Sequence, residues 1–326
     1  MYHGIHYNKH YWKAISLSGD SNLRTALGEY KLALKENTTD SYIYANKGQC
    51  ELKLADTLSA MTDFNSSLSI DDGNLVALFA KEKLAYEAND LRAAINITTI
   101  LIKKYPSMSS AYFQRALYRS YLNELFGAIE DYEVVLKQHP ENTDVLYNMS
   151  NIKCQLKDYS GSLKLINKYI QLVPKDALGY GVRALTKIKL GNHVGGILDL
   201  DRGIALDDTS KSTISMLQSR GLAKIQIKNY SGAMKDLTAA IVKCDKPEAD
   251  LYSARGSLKA ILSDYRGALD DLNIAIEYDD SDSIAYYNRG IAKHGLNMRN
   301  EACRDLSKAG ELGYFKAYSA IKQYCR

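Results

Sequence analysis

Proline is scarce in this chain, at 4 of 326 residues. Proline breaks helix interiors, so its rarity leaves room for a mostly helical protein. Tryptophan occurs once and phenylalanine five times, against 25 tyrosines. Most aromatic positions therefore carry a hydroxyl and suit half-wet surfaces. No block of one charge stands out, because 42 Lys and Arg nearly balance 38 Asp and Glu, for a formal charge of +4. That balance argues against a general binder of nucleic acid or anionic membrane. No apolar run approaches a membrane span, and INITTILI at 95–102 is short and interrupted by Asn and Thr. The opening MYHGIHYNKHYWKAIS has no apolar signal core. A cytoplasmic chain is expected, or an exported one if a leader has been removed.

The five cysteines, Cys50, Cys154, Cys244, Cys303 and Cys325, are never in CxxC spacing. A sequence-local zinc or thioredoxin-type site is therefore not expected, and an odd, scattered set fits a reducing compartment. The catalytic patterns GxSxG, GxxxxGK[ST], HExxH and GxGxxG are also missing. Paired carboxylates such as Asp207-Asp208 and Asp279-Asp280 fall in turns, where they read as helix-terminus residues. No enzyme activity and no cofactor are expected. His3, His6 and His10 could share a helical face and hold a divalent ion, though Gly4 and the terminus favour a frayed end. Five Asn-x-Ser/Thr sequons (Asn37, Asn65, Asn96, Asn148 and Asn229) carry little weight without a signal segment.

What the chain does have is a period. Pro106, Pro140 and Pro174 are 34 apart, and two small residues precede the latter two at fixed offsets, as in Ala116, Ala128 and Pro140. With the first small residue at position eight, nine repeats centre on Ala14, Gly48, Glu82, Ala116, Ser150, Ala184, Gly221, Gly256 and Gly290. Position twenty is small in every repeat, from Ala26 to Ala302, and large apolar residues such as Phe64, Tyr132, Leu237, Leu272 and Leu306 recur at twenty-four. Each repeat holds two runs with helical apolar spacing, for example LYSARGSLKAIL and GALDDLNIAIEY. Small residues let the two helices close on each other, and one pair cannot bury both faces, so repeats must stack.

This pattern resembles the tetratricopeptide repeat (TPR) family, and AYYNRGIAKHGLNMRNEACRDLSKAGELG is its clearest copy. The resemblance covers about residues 7–314. It implies an all-α, right-handed superhelical solenoid of antiparallel helix pairs. We divide it into repeats one to six (1–209), seven to nine (210–314) and a C-terminal capping helix (315–326), or one continuous solenoid. The steps are 34 except for 37 and 35 around Gly221 and Gly256. The 37-step, at LDDTSKSTISM (206–216), predicts a longer connection, with or without a bend. Glu82 breaks the small-residue rule, so the third repeat should pack irregularly. In the tail, Tyr318, Ile321 and Cys325 share a face that reads as a cap.

Position seven is basic in eight repeats (Lys13, Lys47, Lys81, Arg115, Arg183, Arg220, Arg255 and Arg289). Position twenty-three is acidic in seven (Glu29, Asp63, Asp131, Asp199, Asp236, Asp271 and Asp305). Repeat five loses both charges together, as Met149 and Leu165. Pairing within a repeat gives seven ion pairs and leaves Lys81 over; pairing with the next repeat gives only five. We therefore read these arginines as scaffold rather than ligand contacts.

In arrays of this family the first helix of each repeat lines the concave groove. By that resemblance, the face carries Tyr42, Asn46, Gln49, Phe79, Lys83, Tyr86, Phe113, Gln114, Tyr121, Tyr147, Asn148, Asn151 and Gln155. Aromatics give contact area at low entropy cost, and carboxamides can bind a peptide backbone. The expected function is a non-enzymatic scaffold that binds a peptide or partner protein in this groove, with no nucleic acid and no membrane. The alternatives are a nucleic-acid-binding helical array or a non-catalytic subunit of an enzyme. Packing with polar filler is the competing account of the groove residues. The lysine and asparagine set with which some family members grip a C-terminal carboxylate is not present in any three consecutive repeats.

Overall fold

The computed structural model describes residues 8–19, 22–209 and 211–325. These residues form α-helices and no strand. The helices pair as α1 (Lys9–Leu17) with α2 (Leu23–Glu36), α3 (Ser41–Lys53) with α4 (Thr57–Ile70), α5 (Leu75–Glu87) with α6 (Leu91–Lys104), and α7 (Ser109–Tyr121) with α8 (Leu125–Gln138). Then come α9 (Thr143–Gln155) and α10 (Tyr159–Leu172), α11 (Ala177–Lys189) and α12 (His193–Leu206), and α13 (Lys211–Gln226) and α14 (Tyr230–Lys243). The last are α15 (Ala249–Ile261) and α16 (Tyr265–Tyr278), α17 (Ser283–Gly295) and α18 (Arg299–Glu311), and the single α19 (Lys316–Tyr324). The chain clusters into two compact blocks, one ending at Val145 and one beginning at Leu146.

The turn inside most repeats is built from two local devices. The middle residue takes a left-handed conformation, as at Ala55, Asn89, Asn123, Lys157, Gly191, Lys228, Ser263 and Asn297. The chain then folds back on the first helix: the Ala55 N–H donates to the Leu52 carbonyl, and that of Asp56 to the Glu51 carbonyl, both at 2.9 Å. This closes the helix by satisfying its last carbonyls. The next residue caps the second helix. Asp56, Asp90, Asp158, Asn192, Asn229 and Asp264 each accept an N–H from three residues on, which satisfies a donor that has no partner in the helix.

The connections between repeats are short, at 71–74, 105–108 and 173–176, and they hold Pro106 and Pro174. The 37-step does not lengthen its connection, which spans 207–210. The extra residues instead enter α13, which has 16 residues where α11 has 13. KSTISMLQ is free of glycine and proline, so helix is the cheapest way to accommodate them.

Every residue at position twenty is buried, and so is every residue at twenty-four (Tyr30, Phe64, Thr98, Tyr132, Ile166, Leu200, Leu237, Leu272 and Leu306). The large side chain at twenty-four fills the gap left by the small residue at eight. A Cβ placed on Gly290 would stand 2.9 Å from Leu306 Cγ, closer than packed carbons approach. The third repeat reverses the sizes, with Glu82 at eight and Thr98 at twenty-four, both buried. Thr98 satisfies its hydroxyl on the Ala94 and Ile95 carbonyls of its own helix. As expected, this repeat is irregular: α5 and α6 approach less closely than α3 and α4 or α7 and α8.

At the C-terminus α19 packs through Ala317 and Ala320, which are buried, whereas Tyr318 is exposed. Tyr318 nevertheless meets α18 on the expected face, its hydroxyl donating to the Gly310 carbonyl at 3.3 Å. Cys325 is held differently again, in a disulfide with Cys303 of α18. The reading of the cysteines as an odd, scattered set suited to a reducing compartment did not foresee this bond, which helix packing makes between residues 22 apart in sequence. Cys50, Cys154 and Cys244 are free.

Candidate partner-binding groove

The repeated charges turn out to be internal. Arg115 donates from Nε and one terminal nitrogen to the two Asp131 oxygens, at 2.9 and 2.7 Å. The same fork joins Arg183 to Asp199, Arg220 to Asp236, Arg255 to Asp271 and Arg289 to Asp305. Lys13 meets Glu29 and Lys47 meets Asp63 at the same two positions, each through its single ammonium. All seven expected pairs form within their own repeat.

Two further features were not read from sequence. The third guanidinium nitrogen reaches back to the preceding pair, as from Arg183 to Asn167 at 3.2 Å and from Arg289 to Asn273 at 2.9 Å. Each such arginine therefore staples neighbouring repeats as well as its own helices. A second cation one turn on, Arg119, Lys187, Lys224, Lys259 or Lys293, shares the same aspartate. That position is basic in every repeat from four to nine, and the pattern could have been found there. Lys81, which has no acid at twenty-three, turns instead to Asn65 of the previous repeat at 2.6 Å.

Repeat two inverts this arrangement. Glu51 occupies the place of the second cation, so two carboxylates share Lys47. Burial pushes the Glu51 carboxyl up to about 7, against the pull of Lys47 and with a further push from Asp63. Burial also opposes the charge on Lys47, but its hydrogen bonds to Asp63 and Glu51 outweigh this and raise its pKa.

With the cations spent on scaffold, the groove residues separate into two kinds. In the first block Tyr42, Phe79, Tyr86 and Tyr121 are exposed on the first helices, at 41–57 %. Phe113 is half-buried, with its ring centroid 5.9 Å from that of Tyr132. Asn46 donates to the Tyr11 hydroxyl at 3.0 Å and to the Tyr42 carbonyl. Burial, and then the charge of Tyr30, pushes the Tyr11 phenol up to about 12. Gln49 and Gln114 are half-buried and Lys83 is exposed, 3.7 Å from Glu87. In the second block Tyr147 is half-buried against Tyr169, Asn151 donates to the Tyr147 carbonyl, Asn148 is half-buried and Gln155 is exposed. Phe113 and Tyr147 therefore spend part of their rings on their own repeats.

Of the proposed metal-binding histidines, His3 and His6 lie outside the described residues. His10 stands 2.5 Å from Glu29. Among the described residues no helix is long and apolar enough to cross a membrane.

No family model matches the sequence. Human tetratricopeptide repeat protein 16 is 26% identical over 127 residues, covering 37% of this chain and 14% of that protein's length. Among solved structures, a chain from the APC/C hetero-tetramer Cut9-Hcn1 is similar over 99% of this chain and 64% of its own, with a TM-score of 0.62 and 15% identity. The C-terminal part of a TPR repeat-containing protein from Cytophaga hutchinsonii covers 74% of this chain and 98% of its own, with a TM-score of 0.60 and 15% identity. A tetratricopeptide repeat protein from Parabacteroides merdae ATCC 43184 covers 77% and 98%, with a TM-score of 0.57 and 17% identity. With the period, the buried small positions and the helix pairs already established, these likenesses show that the chain has the fold of tetratricopeptide-repeat arrays, closed by a C-terminal helix.

Proposed function

We propose that the chain is a non-catalytic scaffold that binds a peptide or partner protein along the face of its first helices. The observation that carries this reading is the set of exposed rings Tyr42, Phe79, Tyr86 and Tyr121 on the first helices of the first block, with the carboxamides Asn46, Gln49 and Gln114 on the same helices. Soluble surfaces seldom leave such aromatic area open without a use. The repeated cations are held by their own aspartates, which leaves few of them for a phosphate backbone and disfavours the nucleic-acid reading. The structurally similar Cut9-Hcn1 chain comes from a protein assembly, which is in keeping with a scaffold.

Affinity capture with the wild-type chain against Tyr42→Ala/Tyr86→Ala/Tyr121→Ala tests this. These exposed rings are better probes than Phe113 and Tyr147, whose loss would also disturb packing. The variant should lose the wild-type partners while keeping its melting temperature. Identical partner lists would refute the groove.

A further inference from the structure

Glu82 is the one residue at position eight that is not small, and it lies where the groove face is most aromatic. Its side chain is 9 % exposed. It forms part of the lining of a depression of about 520 Å³ between α5 and α7, with Phe79, Lys83, Tyr86, Gln114, Leu117 and Tyr118. The Tyr118 hydroxyl, itself buried, donates to Glu82 Oε1. Burial first, then this bond to the carboxylate, raises the Tyr118 pKa.

A carboxylate can accept about four hydrogen bonds, and Tyr118 supplies one. Among the described residues no cation is within ion-pair distance of Glu82. Lys81 is turned to Asn65, and Lys83, which also lines the depression, is 73 % exposed and turned to Glu87 rather than Glu82. Every other buried repeat carboxylate has a cation within reach: Glu29, Asp63, Asp131, Asp199, Asp236, Asp271 and Asp305 all do. Burying a carboxylate without a counter-charge is costly, and the surrounding chain does not supply one at Glu82.

We propose that this depression is a receptor for a cationic side chain, arginine or lysine, of the partner. The charge would meet the free capacity of Glu82. Phe79 and Tyr86, each about one turn away on α5, would offer ring faces to the incoming cation. A planar guanidinium suits both contacts, since it stacks on aromatics and forks onto carboxylates. An acidic group would be repelled, and an apolar one would leave the carboxylate buried and unpaired. The inference rests on the groove reading and adds the chemistry of one contact to it.

The test is a titration of the isotope-labelled full chain, followed by NMR, with the blocked peptide Gly-Ser-Arg-Ser-Gly and its neutral citrulline isostere. The arginine peptide should shift signals of Phe79, Tyr86 and Tyr118. Citrulline, Glu82→Gln and Tyr86→Ala should each weaken binding by about tenfold or more. Glu82→Gln keeps an acceptor for Tyr118, and the citrulline arm needs no change to the protein at all. Leu58→Ala, exposed on the second helix α4 and outside the depression, should bind as wild type does. Equal binding of citrulline, undiminished binding by Glu82→Gln, or no binding of the arginine peptide up to about 10 mM would each overturn the proposal. If the exposed aromatics still prove necessary for partner capture in that case, the groove reading survives without it.

Discussion

The arginine at position seven earns its place through one aspartate and one neighbour, which makes its removal readable. Asp271 holds both Arg255 and Lys259. Losing the acid therefore strands two cations, whereas losing Arg255 still leaves Asp271 with Lys259. Asp271→Leu should cost about 3–5 kcal/mol, in the range for breaking a buried pair. Arg255→Met should cost less, about 1–3 kcal/mol. The double variant Arg255→Met/Asp271→Leu should recover part of the loss, as Met149 and Leu165 do naturally in repeat five. Thermal melts of the three variants decide the order; a double variant no better than Asp271→Leu alone would contradict it. Glu51 gives a pH signature. Its folded-state pKa lies above the ordinary carboxylate value, 4.5 rising to about 7. The folded protein therefore keeps a proton on Glu51 that the unfolded chain has released, and this contribution to stability falls as pH rises through that window. Glu51→Gln should be more stable than wild type by about 1–3 kcal/mol at pH 8, with the gain gone near pH 4.5. A gain that grows on acidification would show that Glu51 is held charged.

At the scale of the element, the turn and the cap carry the predictions. Ala55, Lys157 and Lys228 occupy left-handed positions where a Cβ costs about 1–2 kcal/mol. Ala55→Gly should stabilise the chain by about 0.5–1 kcal/mol once glycine's entropy is counted, and a melt that falls would mean the turn is not held in this form. Cys303–Cys325 ties α19 to α18 across 22 residues. By loop-closure entropy, opening it should cost about 3 kcal/mol. Amide exchange in 316–324 should rise in Cys325→Ser, and unchanged protection would show that Ala317 and Ala320 hold the helix unaided. The turn chemistry was legible, since Asp and Asn recur at fixed offsets. The disulfide was not: Cys303 holds no patterned position of repeat nine, Cys325 lies beyond the repeats, and only the return of α19 brings them together. The absorption of the 37-step by α13 was half legible, because spacing locates an insertion without saying whether helix or loop takes it up.

Across the whole molecule, a 34-residue period specified nearly all of the architecture, because stacked repeats bury each other's small and large positions by the same rule. What periodicity could not show are the departures from it. The bond from Tyr118 to Glu82 joins positions eight and ten of adjacent repeats and occurs once. The division of the groove into exposed rings and half-spent ones depends on which ring of the second helix lies against them, Tyr132 for Phe113 and Tyr169 for Tyr147. The central claim is that the internal charges hold the scaffold while the face of the first helices receives the partner. A photo-crosslinking amino acid placed at Tyr86 or Tyr121 tests it against the same probe at Leu58 or Phe126, exposed at 83 % and 73 % on second helices. The account predicts that one partner is captured from positions 86 and 121 and not from 58 or 126. Equal capture from both faces, or capture from the second helices alone, would contradict it.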